Sequence, residues 1–84
     1  MTYKISTLRR AQKQLARIPA SDYKKVKQAI LNLAQDPRPP GSKKLKGRPA
    51  WRIRQGDYRV IYEIQDKQLF VIVLDVGNRR DSYR

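Results

Sequence analysis

Hydrophobic and polar positions change their period several times along the 84-residue chain. Residues 2–6 alternate, with Tyr3 and Ile5 on one side and Thr2, Lys4 and Ser6 on the other, the pattern of a short half-buried strand. From Leu8 the spacing becomes helical: Leu8, Ala11, Leu15 and Ile18 form one stripe, and Arg9, Arg10, Lys13 and Arg17 fall largely off it. Ser6 or Thr7 is placed to cap this helix, and Pro19 stops it. Ser21 and Asp22 offer capping oxygens for a second helix with the stripe Tyr23, Val26, Ile30 and Leu33. That helix should end before Asp36-Pro37, because a proline pushes the residue before it out of the α region. Pro37, Pro39, Pro40, Gly41, Gly47 and Pro49 then punctuate a loop that carries Lys43, Lys44, Lys46 and Arg48.

A period of two returns in 51–55 and 58–65, on either side of Gly56-Asp57, whose composition suits a two-residue type II′ hairpin turn. That turn fixes a register. Gln55 faces Tyr58, Arg54 faces Arg59, Ile53 faces Val60, Arg52 faces Ile61 and Trp51 faces Tyr62. Arg52, Arg54 and Arg59 then share one face, and Trp51, Ile53, Tyr58, Val60, Tyr62 and Ile64 share the other, the face expected to meet the helices. Asp66-Lys67 turns the chain into a last strand over 68–76, apolar on both faces and without a readable register. The order of elements predicts an α+β fold in a single domain over residues 1–84. An N-terminal strand and an α-hairpin precede an antiparallel β-meander, with both helices on one face of a small antiparallel sheet.

Composition narrows the chemistry. Twenty Lys and Arg against seven Asp and Glu leave a net charge of +13, with no His and no Cys. Disulfides, thiolate nucleophiles and Cys-based zinc sites are excluded, and so are the commonest metal ligand and general base. A chain this short buries roughly 60% of its unfolded surface, too little for a large internal cavity, so function is expected on the surface. The longest apolar run, Leu69 to Leu74, is far short of a membrane span, and the N-terminus lacks a leader-like apolar stretch, so a cytoplasmic chain is expected. Between residues 43 and 59, Lys43, Lys44, Lys46, Arg48, Arg52, Arg54 and Arg59 stand against the single acid Asp57. Arginines clustered on adjacent strands repel one another unless an anion joins them, and phosphate is the natural anion. Arg79 follows the last strand and could reach the same face, and Arg80 stands next to it in the basic tail. Tyr83, the one aromatic of the tail, is either an anchor or a phenol for stacking, hydrogen bonding or proton transfer. Asp57, Glu63, Asp66 and Asp75 are scattered without a metal-ligand spacing, so neither a metal nor another cofactor is expected.

The blocks Lys43-Lys44-Leu45-Lys46-Gly47, Trp51-Arg52-Ile53-Arg54, Gly56-Asp57-Tyr58-Arg59-Val60-Ile61-Tyr62 and Val76-Gly77-Asn78-Arg79-Arg80-Asp81-Ser82-Tyr83 follow an α-hairpin in that order. In this the whole chain resembles the RelE/ParE superfamily of toxin-antitoxin toxins, and specifically its RelE branch. The resemblance implies the RelE-like fold and a ribosome-dependent, metal-independent endoribonuclease that cuts mRNA in the A site of the 30S subunit. There the 2′-hydroxyl attacks the adjacent phosphate and leaves a 2′,3′-cyclic phosphate. It implies a cognate antitoxin as partner. The catalytic set it implies is Arg52, Arg54, Arg59, Arg79 and Tyr83, with Lys43, Lys44, Lys46, Arg48 and Arg80 gripping RNA or the ribosome. Arg52 and Arg54 stand where the family often has lysines, and a guanidinium keeps its proton near neutral pH, so both are read as electrostatic clamps. Two alternatives remain: a ParE-like toxin that inhibits gyrase, and a non-catalytic RNA- or ribosome-binding module.

Overall fold

In a computed structural model that describes residues 2–78, the order is β1 (Lys4–Thr7), α1 (Arg9–Ala16), α2 (Ala20–Asn32), β2 (Lys43–Lys44), β3 (Trp51–Gln55), β4 (Tyr58–Gln65) and β5 (Phe70–Asn78). All five strands form one sheet in the order β1-β5-β4-β3-β2. The meander is antiparallel, as its turns require, whereas β1 runs parallel to β5, pairing Lys4 with Phe70 through Thr7 with Val73. The sheet is therefore mixed. β1 and β2 lie at opposite edges, so the helical hairpin carries the chain across one sheet face from edge to edge, which is why both helices cover the same side.

The core forms where the predicted stripes meet. Ala11 of α1 and Val26, Ile30 and Leu33 of the second helical segment pack with Ile53, Val60, Tyr62, Val71, Val73 and Val76 in one buried cluster. Trp51, Tyr58 and Ile64, partly buried, lean on it from the face expected to meet the helices. Each fully buried Val or Leu here contributes on the order of 2 kcal/mol.

The helix starts differ from the sequence expectation. Neither Ser6 or Thr7 nor Ser21 or Asp22 caps a helix; the N-cap positions are Leu8 and Pro19, without a side-chain cap. Leu8 stays extended (φ −62°, ψ 151°) because its N–H still donates to the Val73 carbonyl at 3.0 Å, and its own carbonyl accepts from Gln12 at 2.9 Å. Residue 8 is thus outside the helical stripe, and Leu8 is 46% exposed instead of core. Pro19, also extended, accepts from Tyr23 N–H at 2.8 Å. Asp22 sits in the first turn of α2, where its charge suits the helix dipole.

The β3–β4 hairpin has the predicted register from Trp51–Tyr62 to Gln55–Tyr58. Gly56 has φ +60° and Asp57 does not have a positive φ, the signature of a type II′ turn. Two elements had no visible signal. β2 pairs Lys43 with Arg52 and Lys44 with Trp51, adding a strand inside the expected loop. In β5, the partner shifts from Val73 (with Tyr62) to Asp75 (with Ile61), which leaves Leu74 as an extra residue in a bulge. β5 continues two residues beyond the expected end, so that Gly77 lies opposite Arg59 and Asn78 opposite Tyr58.

Candidate functional site

Pairing places the cations in rows on the sheet face away from the helices. One row runs Lys43, Arg52 and Ile61 across β2, β3 and β4. The next runs Arg54, Arg59 and Gly77 across β3, β4 and β5. Cross-strand neighbours have Cβ atoms about 5 Å apart, so the Arg54 and Arg59 stems start side by side. Arg54 is exposed, whereas Arg52 and Arg59 are half-buried against a face whose middle is the buried Ile61. The Arg59 Nε is shielded from solvent and has no hydrogen-bond acceptor. Among the described residues no carboxylate pairs with Arg54 or Arg59; the ion pairs Arg10–Asp75 (3.2 Å) and Arg38–Asp66 (2.9 Å) lie elsewhere. Arg54 and Arg59 thus offer donors to an anion, and the carboxylates that the register puts on the same face, Asp75 opposite Ile61 and Glu63 opposite Ile72, form an ion pair with neither of them among the described residues.

Lys44, by its pairing with Trp51, belongs to the opposite side of the sheet from the arginines. Lys46 and Arg48 are exposed in the turn after β2, closed by the hydrogen bond from Leu45 N–H to the Ala50 carbonyl at 2.9 Å. Arg79, Arg80 and Tyr83 lie outside the described residues; the chain leaves them directly after Gly77 and Asn78, beside Arg59 and Tyr58.

Two structural clamps hold this face in shape. At the β5 end, Gln14 of α1 donates from Nε2 to Asp75 Oδ1 at 2.9 Å and accepts at Oε1 from Val76 N–H at 2.7 Å. A helix side chain thereby occupies the edge of β5 that β1 does not reach. At the far end, the Tyr3 hydroxyl donates to Asp66 at 2.7 Å, and Arg38 reaches both Asp66 oxygens at 3.2 and 2.9 Å. The Arg38 guanidinium also lies 5.1 Å from the Trp51 ring centroid, a cation–π contact. Arg38, then Tyr3, hold the Asp66 carboxyl below its usual value, while the hydrogen bond that the Tyr3 hydroxyl donates to Asp66 is the main cause raising the Tyr3 phenol. Tyr62, fully buried, donates to the Pro37 carbonyl at 2.7 Å, and burial pushes its phenol up to about 12. These contacts fasten the proline-rich loop to the meander, and so fix where β2 and Lys43 meet β3.

Residues 5–83 match the family described as ParE toxin of type II toxin-antitoxin system, parDE. The chain belongs to this family. It is a RelE-like member of the RelE/ParE superfamily by its similarities: it is 27% identical to the mRNA interferase toxin RelE of Escherichia coli K12, over 98% of this chain and 88% of that protein. The RelE of the Pyrococcus horikoshii RelE-RelB complex superimposes with a TM-score of 0.84 at 29% identity, covering 94% of this chain and 97% of that one. The E. coli RelBE toxin-antitoxin complex gives 0.80 at 25% identity, covering 90% and 95%. The α+β fold expected from the sequence is thus the fold of RelE toxins, and the chain is a toxin of a type II toxin-antitoxin system. Among the described residues no helix is long and apolar enough to cross a membrane.

Proposed function

We propose that this toxin is a cytoplasmic, ribosome-dependent mRNA endonuclease acting in the A site of the 30S subunit, restrained by a cognate antitoxin. The observation that carries the reading is the arginine face: Arg54 and Arg59 directly opposed across β3 and β4, without carboxylate partners, beside Arg52. The name of the E. coli relative, an mRNA interferase, and the antitoxin in the complexes of the Pyrococcus and E. coli relatives support it.

In the proposed reaction the 2′-oxygen attacks the adjacent phosphorus, the bond to the 5′-oxygen breaks, and a 2′,3′-cyclic phosphate and a 5′-hydroxyl result. Arg52, Arg54 and Arg59, with Arg79 from the tail, stabilise the charge that builds on the phosphorane oxygens. Tyr83 acts on the 2′-hydroxyl, as base or as orienting group. Lys43, Lys46, Arg48 and Arg80 hold RNA phosphates, whereas Lys44 is turned to the other side of the sheet and is not part of this grip. The reading includes no metal, because the acids are dispersed and two of them, Asp66 and Asp75, are already paired with arginines. Without a self-sufficient acid-base pair, free RNA is cut slowly, and the ribosome supplies the missing order.

Purified toxin added to translating ribosomes should produce new mRNA 5′ ends within codons at the A site, in the presence of excess EDTA-chelated trace metal and sufficient Mg²⁺ for the ribosome. Loss of one pre-organised cation, as in Arg59→Ala, should slow the cut about 10²-fold. Parental cleavage by that variant would refute the site. Inhibition of DNA supercoiling without mRNA cleavage would establish the gyrase alternative instead.

A further inference from the structure

The Arg59 guanidinium can serve a phosphate only while no carboxylate of the chain compensates it, and the register brings one within reach. Arg59 stands opposite Gly77 and Asp75 opposite Ile61, so Asp75 and Arg59 are diagonal neighbours on one face of β4 and β5. Such neighbours are about 7–8 Å apart, a span that a long side chain crosses. Gly77, beside both, adds no side chain to separate them, and Asp75 Oδ2 lies 3.7 Å from where a Cβ on Gly77 would stand. Of the other described acids, Asp57 is exposed in the hairpin turn, where water competes for it, and Glu63 is four residues further along β4, about 13 Å away. Asp22, Asp36 and Asp66 belong to α2, the proline-rich loop and the β4–β5 turn. Yet Asp75 is turned from Arg59. Its Oδ1 accepts from Gln14 Nε2 at 2.9 Å and lies 3.2 Å from Arg10 Nε, while Arg59 Nε has no acceptor. Gln14 is the firmer of the two holds. Its Oε1 accepts from Val76 N–H at 2.7 Å, which fixes the amide at both ends, whereas the Arg10 side chain is 76% exposed and a surface ion pair holds weakly.

We infer that Gln14 is a positioning residue of the cleavage: it holds Asp75 at the open edge of β5 and so keeps the Arg59 guanidinium available to the phosphate; this rests on the nuclease reading above. Asp75 and Arg59 are both half-buried, where water screens their attraction less than at the surface, so a released Asp75 turns to Arg59. The amide of Gln14 prevents this with a hydrogen bond to the charged carboxylate and adds no charge of its own to the face. An Arg59 already paired with Asp75 meets the phosphorane with its charge compensated, and its stabilisation of the transition state is lost. The exposed cations that grip RNA are unaffected. Gln14 therefore acts on the rate of the bound complex, through Asp75 and Arg59, and not on binding.

The experiment uses the full chain on mRNA-programmed ribosomes and reads the single-turnover rate at saturating toxin, the half-saturating concentration and the NMR signal of the Arg59 Nε–H. Gln14→Met should cut about 10-fold more slowly at saturation, with a half-saturating concentration within about twofold of the parent and a displaced Arg59 signal. Gln14→Glu, which keeps the acceptor for Val76 N–H but repels Asp75, should do the same. Adding Asp75→Asn to either variant should restore the rate to within about threefold of the parent and return the signal, because an amide cannot compensate Arg59. A role of Gln14 in folding alone has the opposite sign, since the second substitution removes more of the same contact. A double variant as slow as the single one or slower would therefore overturn the inference, as would a parental rate for Gln14→Met or a loss confined to the half-saturating concentration. A parent that cuts no mRNA would bring down the nuclease reading itself, while the Arg59 signal would still read whether Gln14 holds Asp75 away.

Discussion

Replacing Arg59 by Met should make the toxin more stable and less active at once. Met keeps an unbranched stem of similar length over Ile61 and removes two unfavourable features of the resting fold. The first is the direct cross-strand opposition of Arg54 and Arg59, a like-charge pair that costs about 0.2–1 kcal/mol. The second is the Arg59 Nε, shielded from water without an acceptor, which costs about 1–3 kcal/mol. Allowing for loss of the guanidinium's own packing, a net gain of about 1–2 kcal/mol is expected, or a rise in Tm of roughly 5–15 °C for a domain of this size. Differential scanning calorimetry at low and at 1 M salt separates the contributions: the charge opposition is screened at 1 M, where the Debye length is about 3 Å, while the desolvation of Nε persists. In a double-mutant cycle, Arg54→Met should stabilise the parent more than it stabilises the Arg59→Met background. The cleavage rate on ribosomes should fall about 10²-fold. A Tm equal to or below that of the parent, with the circular dichroism unchanged, would show that the arginine face is not strained and would remove the argument that it awaits an anion.

Two further outcomes test the clamps that shape the face. Tyr62→Phe deletes the buried hydroxyl and leaves the Pro37 carbonyl without its partner, so urea unfolding should show a loss of about 1–3 kcal/mol; an unchanged midpoint would mean that the loop is held by other contacts. Asp66→Asn removes the acceptor of both Tyr3 and Arg38 and should lower the Tm at pH 7. Because Asp66 has a folded-state pKa below its unfolded value of about 3.9, its contribution is fully present above that pH and is lost as the pH falls through the lower, folded value. The Tm difference between parent and variant should therefore shrink progressively below about pH 4, and a difference constant from pH 7 to pH 2 would disprove the linkage.

What could be read from the sequence was whatever local geometry decides. Gly56 permits the positive φ of a two-residue turn, the turn fixes the register of 51–62, and the register separates Trp51, Ile53 and Val60 from Arg52, Arg54 and Arg59. Features set by a distant partner left no trace. Two residues are too few for Lys43 and Lys44 to show alternation, so β2 exists only because β3 offers an edge to them. The parallel pairing of β1 depends on which edge of β5 the meander leaves open. The bulge at Leu74 is hidden because residues 69–74 are apolar whichever face they occupy. Gln14, an amide off the apolar stripe, looks like a solvent-facing residue, and only the fold shows it bonded to both Asp75 and Val76. Of the site, the arginine trio was legible as a pattern of period two, while the side to which each loop lysine turns was not. Arg79, Arg80 and Tyr83 lie outside the described residues.

The same electrostatics bears on why such a chain is paired with an antitoxin. A face that opposes Arg54 to Arg59 and shields Nε without an acceptor stores free energy that any well-placed anion recovers on binding. That energy does not discriminate: RNA phosphates and protein carboxylates both relieve it, and at a net charge of +13 non-specific attraction to nucleic acid is strong and salt-dependent. Specific restraint therefore has to come from contacts that RNA cannot reproduce. Apolar surface is available for them on the helical side, where Leu31 is 47% exposed and Leu8 46%, and Leu15, Ile18 and Tyr23 line an open groove between the helices and β1. A partner that combined carboxylates for the arginines with apolar side chains for that groove would outcompete RNA through the apolar part and silence the site through the charged part. Raising the salt concentration weakens only the second of these, so retention of the partner at high salt measures how much of the restraint lies away from the arginines.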